Sequence, residues 1–513
     1  MPASWAYGSE GHEDQSAAGQ RRQFDGKAAA LRSLFADSAD AAVLDATRLI
    51  RSPPKHHRHR AQIAVVKTQR LLGMWDSASK QMVPIDHEAA LFSAPILLAV
   101  KALQRPEVPD VLWHRLANVH AHSTAAGDIC LTLCYARQGA PVKRGKAEGA
   151  TRAGPEPPED EDAWRAAAKN FRCELAAAGR EITTGSGAAA PAGVPEPAED
   201  GEIAAEQSST GVVRACQIVG QWRKYSVVVG EEYVNEEVTL RDGGDPAFGR
   251  TLRYRQVAGQ FSNPNPAVAA ASLEWLCETC HTAVGGQAGN GSLLELHCGF
   301  AHSTIALAPH FSRVVGVELN RHLAATAEHN LQINGVTNGT ILHAATADAA
   351  DALLSGGALA SWKLAPTVAS RSVPTPEPEQ PDCDVLLVDP PRAGLDAPTL
   401  KLARRFHHIL YISCNPEALH QNLQGATCEQ HSTADSFHVA EGSRPLLETH
   451  EVVRMAVFDM FPATGHVEMA VYLRKRSGAC KQPEVVPGTL ELAGCGLAGC
   501  AVAAAIVVRW AMK

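Results

Sequence analysis

Residues 293–319 read LLELHCGFAHSTIALAPHFSRVVGVEL: a short apolar run, a glycine turn, a helical stretch, and a second apolar run closed by a carboxylate. The first run, 293–297, has the length and composition of a buried strand. Gly299 in the turn behind it lets a ligand approach the backbone, as in nucleotide-binding βα loops. The second run, 314–317, hands over to Glu318 about twenty residues later, the spacing at which an acid reaches a ribose diol. Taken singly, Gly299 is a weak signal, and an acid such as Glu318 is more often a surface residue than a ligand. Working outward, strands are expected at 340–343, 384–388 and 408–413, with helices between them, most clearly over 321–334. Runs at 452–458 and 467–473 complete seven strands by adding to the sheet edge. Such alternation dictates an α/β fold, a mostly parallel sheet with helices on both faces.

The 513 residues suffice for two or three domains, and 45% apolar with 20% charged residues is a globular composition. The opening MPASWAYGSEGHEDQ has no apolar core, so secretion is not expected and an intracellular, reducing setting is. Thirteen cysteines are scattered without a repeating spacing. The one CxxC, Cys277 and Cys280, lies in a helix-like stretch with no second pair at zinc spacing, which favours a core role. Net charge is −8, but 154–162 (GPEPPEDED) and 194–207 (VPEPAEDGEIAAEQ) hold ten carboxylates. Without those ten the balance is +2, leaving room for a local basic patch on the folded remainder.

Four segments follow from composition. Residues 1–22 are expected to be disordered, and 23–260 to form an α+β domain with Pro/Glu/Ala-rich disordered inserts near 138–162 and 185–210. Residues 261–476 carry the α/β pattern with a Pro-rich insert near 355–381, and 477–513 form an Ala/Gly-rich tail. In the first domain, apolar residues recur at helical spacing over 24–36, and 163–178 is an amphipathic helix with Trp164, Ala168, Phe171 and Leu175 along one side. The basic cluster RSPPKHHRHR, 51–60, leads into the strand-like 61–66; a phosphate-facing rim and a solvated charge run both fit it. In the tail, 492–508 is uncharged and apolar but short for a membrane span, so a peripheral helix or an extension is favoured over a tail anchor.

Chemistry gathers at the strand ends. The run HILYI, 408–412, precedes Ser413, Cys414, Asn415 and Pro416, so Cys414 lies on the loop beyond a strand's C-terminal end. Asp389 is followed by Pro390, Pro391 and Arg392, a rigid extended exit from another strand. Glu468 begins a later strand-like run. Each of these has a plain structural reading; their co-occurrence in one α/β pattern is harder to dismiss.

Together the segments GQFSNPN (259–265), LELHCGFAH (294–302), GVEL (316–319), VDPPRAGLD (388–396), YISCNPEAL (411–419) and DMFPATGHVE (459–468) resemble the RNA uracil-C5 methyltransferase family. The likeness is greatest to its tRNA (uracil-5-)-methyltransferase branch, which modifies the T-loop uridine, conventionally uracil-54. Arg51-Ser52-Pro53, the stretch His57 to Ala61, and Tyr254 to Val257 match further segments of that branch. The ribosomal-RNA branch typically carries a TRAM domain and an N-terminal four-cysteine iron–sulfur site; here the first cysteine is Cys130, which disfavours it.

The resemblance implies a Rossmann-like S-adenosyl-L-methionine-dependent domain preceded by an α+β RNA-binding domain. It implies that Cys414 adds to uracil C6, that C5 then takes a methyl group, and that Glu468 removes the C5 proton. It assigns Asn263, His297, Gly299, His302, Glu318 and Asp389 to the cofactor, and Arg58, Arg60 and Arg392 to RNA. The implied partner is the T-arm of tRNA, bound by a monomer without metal or iron–sulfur cluster, with the target base flipped out of its stack. This chain departs from the family at the cofactor loop, which normally reads Tyr-Cys-Gly-Asn-Gly-Asn. Here His297, Phe300, Ala301 and His302 replace the usual residues, and Asn263 stands for a glutamine. Ala301 is strained there only if its φ is positive. Cofactor affinity is expected to be retained, at or below the family's. Two alternatives stay open: a tRNA-binding homologue that has lost methyl transfer, and a methyltransferase of another RNA.

Overall fold

The computed structural model describes residues 16–66, 70–76, 80–85, 91–136, 157–185, 213–241, 249–283, 289, 291–355, 384–428, 437–438 and 444–476. Most of the three expected inserts, the first fifteen residues and the whole 477–513 tail with its apolar 492–508 lie outside the described residues.

Helices α1 (Ala17–Leu34) and α2 (Ala41–Asp45) lead into a short strand, β1 (Arg48–Ile50). There follow β2 (Arg60–Val66), β3 (Leu71–Asp76), β4 (Gln81–Pro84), α3 (Ala94–Leu103), α4 (Asp110–Trp113), β5 (Leu116–Ser123) and β6 (Asp128–Tyr135). After α5 (Glu161–Gly185), β7 (Ala215–Trp222) and β8 (Tyr225–Val229) complete a seven-stranded sheet in the order β4-β3-β2-β5-β6-β7-β8. A hairpin, β9 (Tyr233–Thr239) and β10 (Thr251–Val257), connects it to the second half.

That half runs α6 (Pro266–Ala283), β11 (Ser292–Leu296), α7 (His302–Leu307), β12 (Arg313–Glu318), α8 (Arg321–Ile333), β13 (Gly339–His343), α9 (Thr346–Leu354) and β14 (Val385–Val388). It continues with α10 (Ala397–Ala403), β15 (His408–Ser413), α11 (Pro416–Leu423), the small pair β16 (Thr427–Cys428) and β17 (Phe437–His438), β18 (His450–Phe458) and β19 (Glu468–Lys475). The sheet order is β1-β18-β19-β15-β14-β11-β12-β13, with β19 antiparallel to both neighbours and the β15-to-β13 block parallel.

All seven strands expected from the sequence are present, within one or two residues at each end. The sheet nevertheless has eight strands: Arg48–Ile50 pairs parallel with β18, a partner some 400 residues away that three residues of sequence cannot signal. Helix α1 also corrects the expected disorder of 1–22, since it begins at Ala17, where the Ser16 hydroxyl caps Gly19 N–H. The expected 138–162 insert is likewise shorter, because Glu161 and Asp162 form the first turn of α5, where carboxylates complement the helix dipole.

Burial follows the expected patterns. Trp164, Ala168, Phe171 and Leu175 of α5 are at most 2% exposed and pack on the seven-stranded sheet with α3. One face of the eight-stranded sheet is covered by α6, α7, α8 and the β9–β10 hairpin, the other by α1, α9, α10 and α11. Cys277 and Cys280 are fully buried in α6, in the first of these cores. Among the described residues no group of three His, Cys, Asp or Glu side chains could hold a metal ion. No helix among them is long and apolar enough to cross a membrane.

Candidate active site

Strand register brings the candidate residues to one end of the sheet. Leu296 of β11 lies opposite both Val317 and Val388, so His297, Glu318 and Asp389 emerge side by side. Ser413 of β15 pairs with Met469 of the antiparallel β19, so Cys414 leaves β15 where Glu468 begins β19, near enough for the carboxylate charge to act on the thiol. Five residues spread over 172 positions of sequence thus share one edge of the sheet. Open α/β sheets bind their ligands at this edge because the strand-to-helix turns expose backbone there.

Asn415 ties two of these loops together by donating from Nδ2 to the Arg392 carbonyl at 2.8 Å. The turn after β15 is also pinned internally: Ser413 Oγ donates to the Asn415 carbonyl at 2.8 Å and accepts from its N–H at 3.1 Å. Cys414 is half-buried on this turn. Burial pushes its thiol up to about 12, the charges of Glu468 and Asp389 push in the same direction, and Arg392 opposes them. Glu468 is half-buried and Asp389 exposed, yet protein surrounds both closely enough to impede solvation. Such a pair is accessible to a ligand and still poorly hydrated, as groups on a cleft wall are. Desolvation raises both carboxyls, and the charge of Asp389 raises Glu468 further.

The glycine turn and Glu318 form a second unit. Glu318 accepts from Gly299 N–H at 2.9 Å and from Asn320 N–H at 2.6 Å, which fixes its carboxylate across the turn. Gly299 has φ +57°, and a Cβ there would project into open space, so the turn has room for a bound group over its backbone. Asn320 caps α8 and donates to Gln260 Oε1 at 2.9 Å, joining this unit to the 259–265 segment. A carboxylate anchored this way beside an open glycine turn suits a ribose diol. The adjacent Asn263 is half-buried, whereas Asn265 is fully buried, donating to Ser52 Oγ at 2.8 Å and capping α6.

Ala301 adopts φ +66° and ψ +36° and is fully buried. A left-handed conformation costs a residue with a Cβ about 1–2 kcal/mol, so the departure from glycine is strained. Ala301→Gly relieves that strain while enlarging the unfolded ensemble, a partly offsetting effect. The net expectation is a gain of about 0.5–1 kcal/mol in urea unfolding; a loss would mean the alanine methyl contributes more by packing than its backbone costs.

The two histidines of the loop differ. His297 (φ +64°) is half-buried beside Thr346 Oγ1 at 3.4 Å, and burial holds it down to about 4, so it is neutral at pH 7. His302 sits among Tyr254 and Phe300, ring centroids 5.0 and 5.4 Å away, and is also lowered to about 4 by burial. The hairpin buttresses this loop: Tyr254 hydroxyl donates to the His302 carbonyl at 2.9 Å, and Asn330 bridges the carbonyls of Arg255 and Phe300.

The expected basic rim is partly internal. His57 and His59 are buried, and burial depresses them to about 3 and 4, so they carry no charge at neutral pH. Arg60 is also turned inward, donating to the Ser262 carbonyl at 3.3 Å and hydroxyl at 3.2 Å. These bonds hold the 261–265 segment against β2, and Arg60 is half-buried there. Arg58 is half-buried, with Nε on the Arg60 carbonyl, and Arg392 is exposed beside Cys414.

Sequence reasoning missed Glu295, a fully buried carboxyl inside β11 that accepts from the Thr304 hydroxyl. Burial lifts it to about 8, so it is a neutral acid beneath the glycine turn at pH 7. The signal was present as a lone acid within the apolar run Leu293-Leu294-Glu295-Leu296. Asn330 and Asn415 gave no signal, because their partners are backbone carbonyls far away in sequence.

A parallel sheet with one antiparallel strand beside β15, a glycine turn paired to a strand-end acid, and a thiol facing carboxylates define a Rossmann-like methyltransferase domain. Residues 204–476, more than half of the chain, match the family described as tRNA (Uracil-5-)-methyltransferase. The curated tRNA/tmRNA (uracil-C(5))-methyltransferase of Azoarcus sp. (strain BH72) is 31% identical over 432 residues, covering 83% of this chain and 90% of the relative. That of Aeromonas hydrophila subsp. hydrophila is 28% identical over 89% of this chain and 94% of its own. Among solved structures, the Pyrococcus abyssi tRNA (uracil-54, C5)-methyltransferase in complex with S-adenosyl-L-homocysteine aligns over 88% of this chain and 83% of its own, at 16% identity and TM-score 0.49. The chain belongs to the tRNA (uracil-5-)-methyltransferase family.

Proposed function

We propose that this protein methylates C5 of a tRNA uridine, uracil-54 of the T-loop, with S-adenosyl-L-methionine as the methyl donor. The observation that carries the reading is the β15–β19 register, which brings the Cys414 turn to the start of β19 at Glu468, within electrostatic reach of the thiol. Uracil C5 is a poor nucleophile until something adds to C6. Cys414 adds there through sulfur, moving an electron pair onto the C4 carbonyl and making C5 enolate-like. S-adenosyl-L-methionine, when bound, supplies an electrophilic methyl group without a metal. Glu468 then takes the C5 proton, the C–H pair becomes the C5–C6 double bond, and the thiolate leaves.

The remaining assignments follow from position. Glu318 and the turn at Gly299 hold the cofactor ribose, with Asn263, His297 and His302 around the same turn. Asp389 faces both the target base and the methionine end of the cofactor. Arg392 attracts phosphate and favours the thiolate, while the seven-stranded unit, with Arg58, contributes the RNA-binding surface. Such phosphate contacts make binding salt-dependent.

Methyl transfer from labelled cofactor to an unmodified tRNA transcript, followed by mapping of the modified base, tests this reading. The expected product is 5-methyluridine at position 54; label elsewhere, or none at saturating cofactor, overturns it. The rate is expected to rise from pH 6 to pH 9. A thiol held near 12 gains thiolate about tenfold per pH unit over this range. Glu468, raised above the usual carboxyl range, loses its proton-accepting form as pH falls, so both groups act in the same direction.

A further inference from the structure

The loop between β18 and β19 ends at Glu468, and its anchorage comes from the opposite end of the chain. Lys27 of α1 donates from Nζ to the His466 carbonyl at 3.0 Å and the Phe461 carbonyl at 3.5 Å, and lies 3.7 Å from Asp459 Oδ1. The side chains of this ion pair are 11% and 5% exposed. Gln23, one helical turn earlier on the same face, donates to the Thr464 carbonyl at 3.2 Å. Within the loop, Thr464 Oγ1 donates to the Phe461 carbonyl at 2.8 Å and accepts from His466 N–H at 3.2 Å. At its start, Asp459 N–H donates to the Ile50 carbonyl at 2.9 Å.

A buried ammonium is costly unless its donors are satisfied, and here the partners named are the two ends of one loop and the acid at its origin. A loop held at three carbonyls by two side chains of a rigid helix has little freedom to carry Glu468 away from the reacting carbon. Proton abstraction is sensitive to such displacement, because the acceptor must sit within hydrogen-bond reach of the proton it takes.

We propose that Lys27, assisted by Gln23, is a positioning residue for the proton-abstraction step. It fixes the loop spanning Asp459 and His466 so that the Glu468 carboxylate meets the C5 proton. This inference rests on the reading of Glu468 as the base. In that step Glu468 gains the C5 proton, the C5–C6 double bond forms, and the C6–S pair returns to Cys414.

The test separates steps before and after methyl transfer. Trapping on 5-fluorouracil-substituted tRNA reports only the earlier ones, since C5 then carries no removable proton. With ordinary tRNA and S-adenosyl-L-methionine, a covalent adduct accumulates only if proton removal is slowed. Lys27→Met is expected to raise the ordinary-tRNA adduct about tenfold over wild type while changing the trapping rate less than about twofold, a fraction of what a general base contributes. Lys27→Arg is expected to restore most of the turnover. Because Lys27→Met removes the cation that pairs with Asp459, Lys27→Met/Asp459→Asn and Gln23→Ala provide controls that keep charge balance. Adduct at the wild-type level in both controls, with turnover and trapping falling together or unchanged, overturns the proposal. If wild type itself is not trapped, or Cys414→Ala still forms adduct, the underlying reading of the site fails instead.

Discussion

Cys414→Ala is expected to abolish both methyl transfer and covalent trapping on 5-fluorouracil-substituted tRNA, lowering turnover by about four orders of magnitude or more. The effect is large because the carboxylates beside Cys414 at this sheet edge are poor substitutes: Glu318 is engaged by two backbone N–H groups, and Asp389 and Glu468 would reverse any addition readily. The fold should not suffer. Cys414 is half-buried on a turn held by Ser413 and Asn415, so losing its sulfur costs at most about 1 kcal/mol of stability. Binding of unmodified tRNA is expected to be retained, and a gel-shift assay beside the methyl-transfer assay makes the separation. Residual adduct in Cys414→Ala would move the nucleophile elsewhere.

Glu468→Gln is expected to lower turnover by about 10²–10⁴-fold, the usual contribution of a general base, and to leave a methylated adduct on ordinary tRNA. A second consequence follows from the electrostatics. The Glu468 charge is the largest electrostatic cause that raises the Cys414 thiol, so the neutral amide lets the thiol ionise more easily. Because Glu468 is raised to about 8, trapping on 5-fluorouracil tRNA is expected to become faster above that pH, where the wild-type carboxylate is charged, and to change little below it, even as turnover collapses. Denaturing gels over a pH series measure both. Slower trapping in Glu468→Gln would mean that the carboxylate assists attack rather than hindering it.

The strain at Ala301 bears on the alternative that the protein binds tRNA without methylating it. Its φ of +66° means that the alanine holds a left-handed backbone conformation of the kind glycine adopts freely, at an energetic cost. Tyr254, Asn330 and Phe300 hold the loop in that shape. The turn, its open space over Gly299 and the anchored Glu318 are therefore all present, which favours an active enzyme.

Much of this was legible in the chain. Strand and helix periods over 293–475 were readable because buried parallel strands are short apolar runs, and their order of appearance fixes which loops carry Gly299, Glu318, Asp389 and Cys414. The amphipathic face of α5 was equally plain. The basic cluster at 51–60 was not, because charge counted along a sequence says nothing about burial. His57 and His59 alternate inward and lose their charge, and Arg60 commits one guanidinium nitrogen to Ser262.

By itself, the sequence determined the α/β pattern, the chemical types at the strand ends and the family they belong to, since these rest on local periodicity and contiguous motifs. Tertiary structure alone decided which groups meet. The Cys414–Glu468 apposition depends on an antiparallel register between strands 55 residues apart from Ser413 to Glu468, and the anchorage of the Glu468 loop depends on Lys27, more than 430 residues distant. Contacts of that kind are set by sheet pairing and helix packing across the whole chain, so no window of sequence contains them.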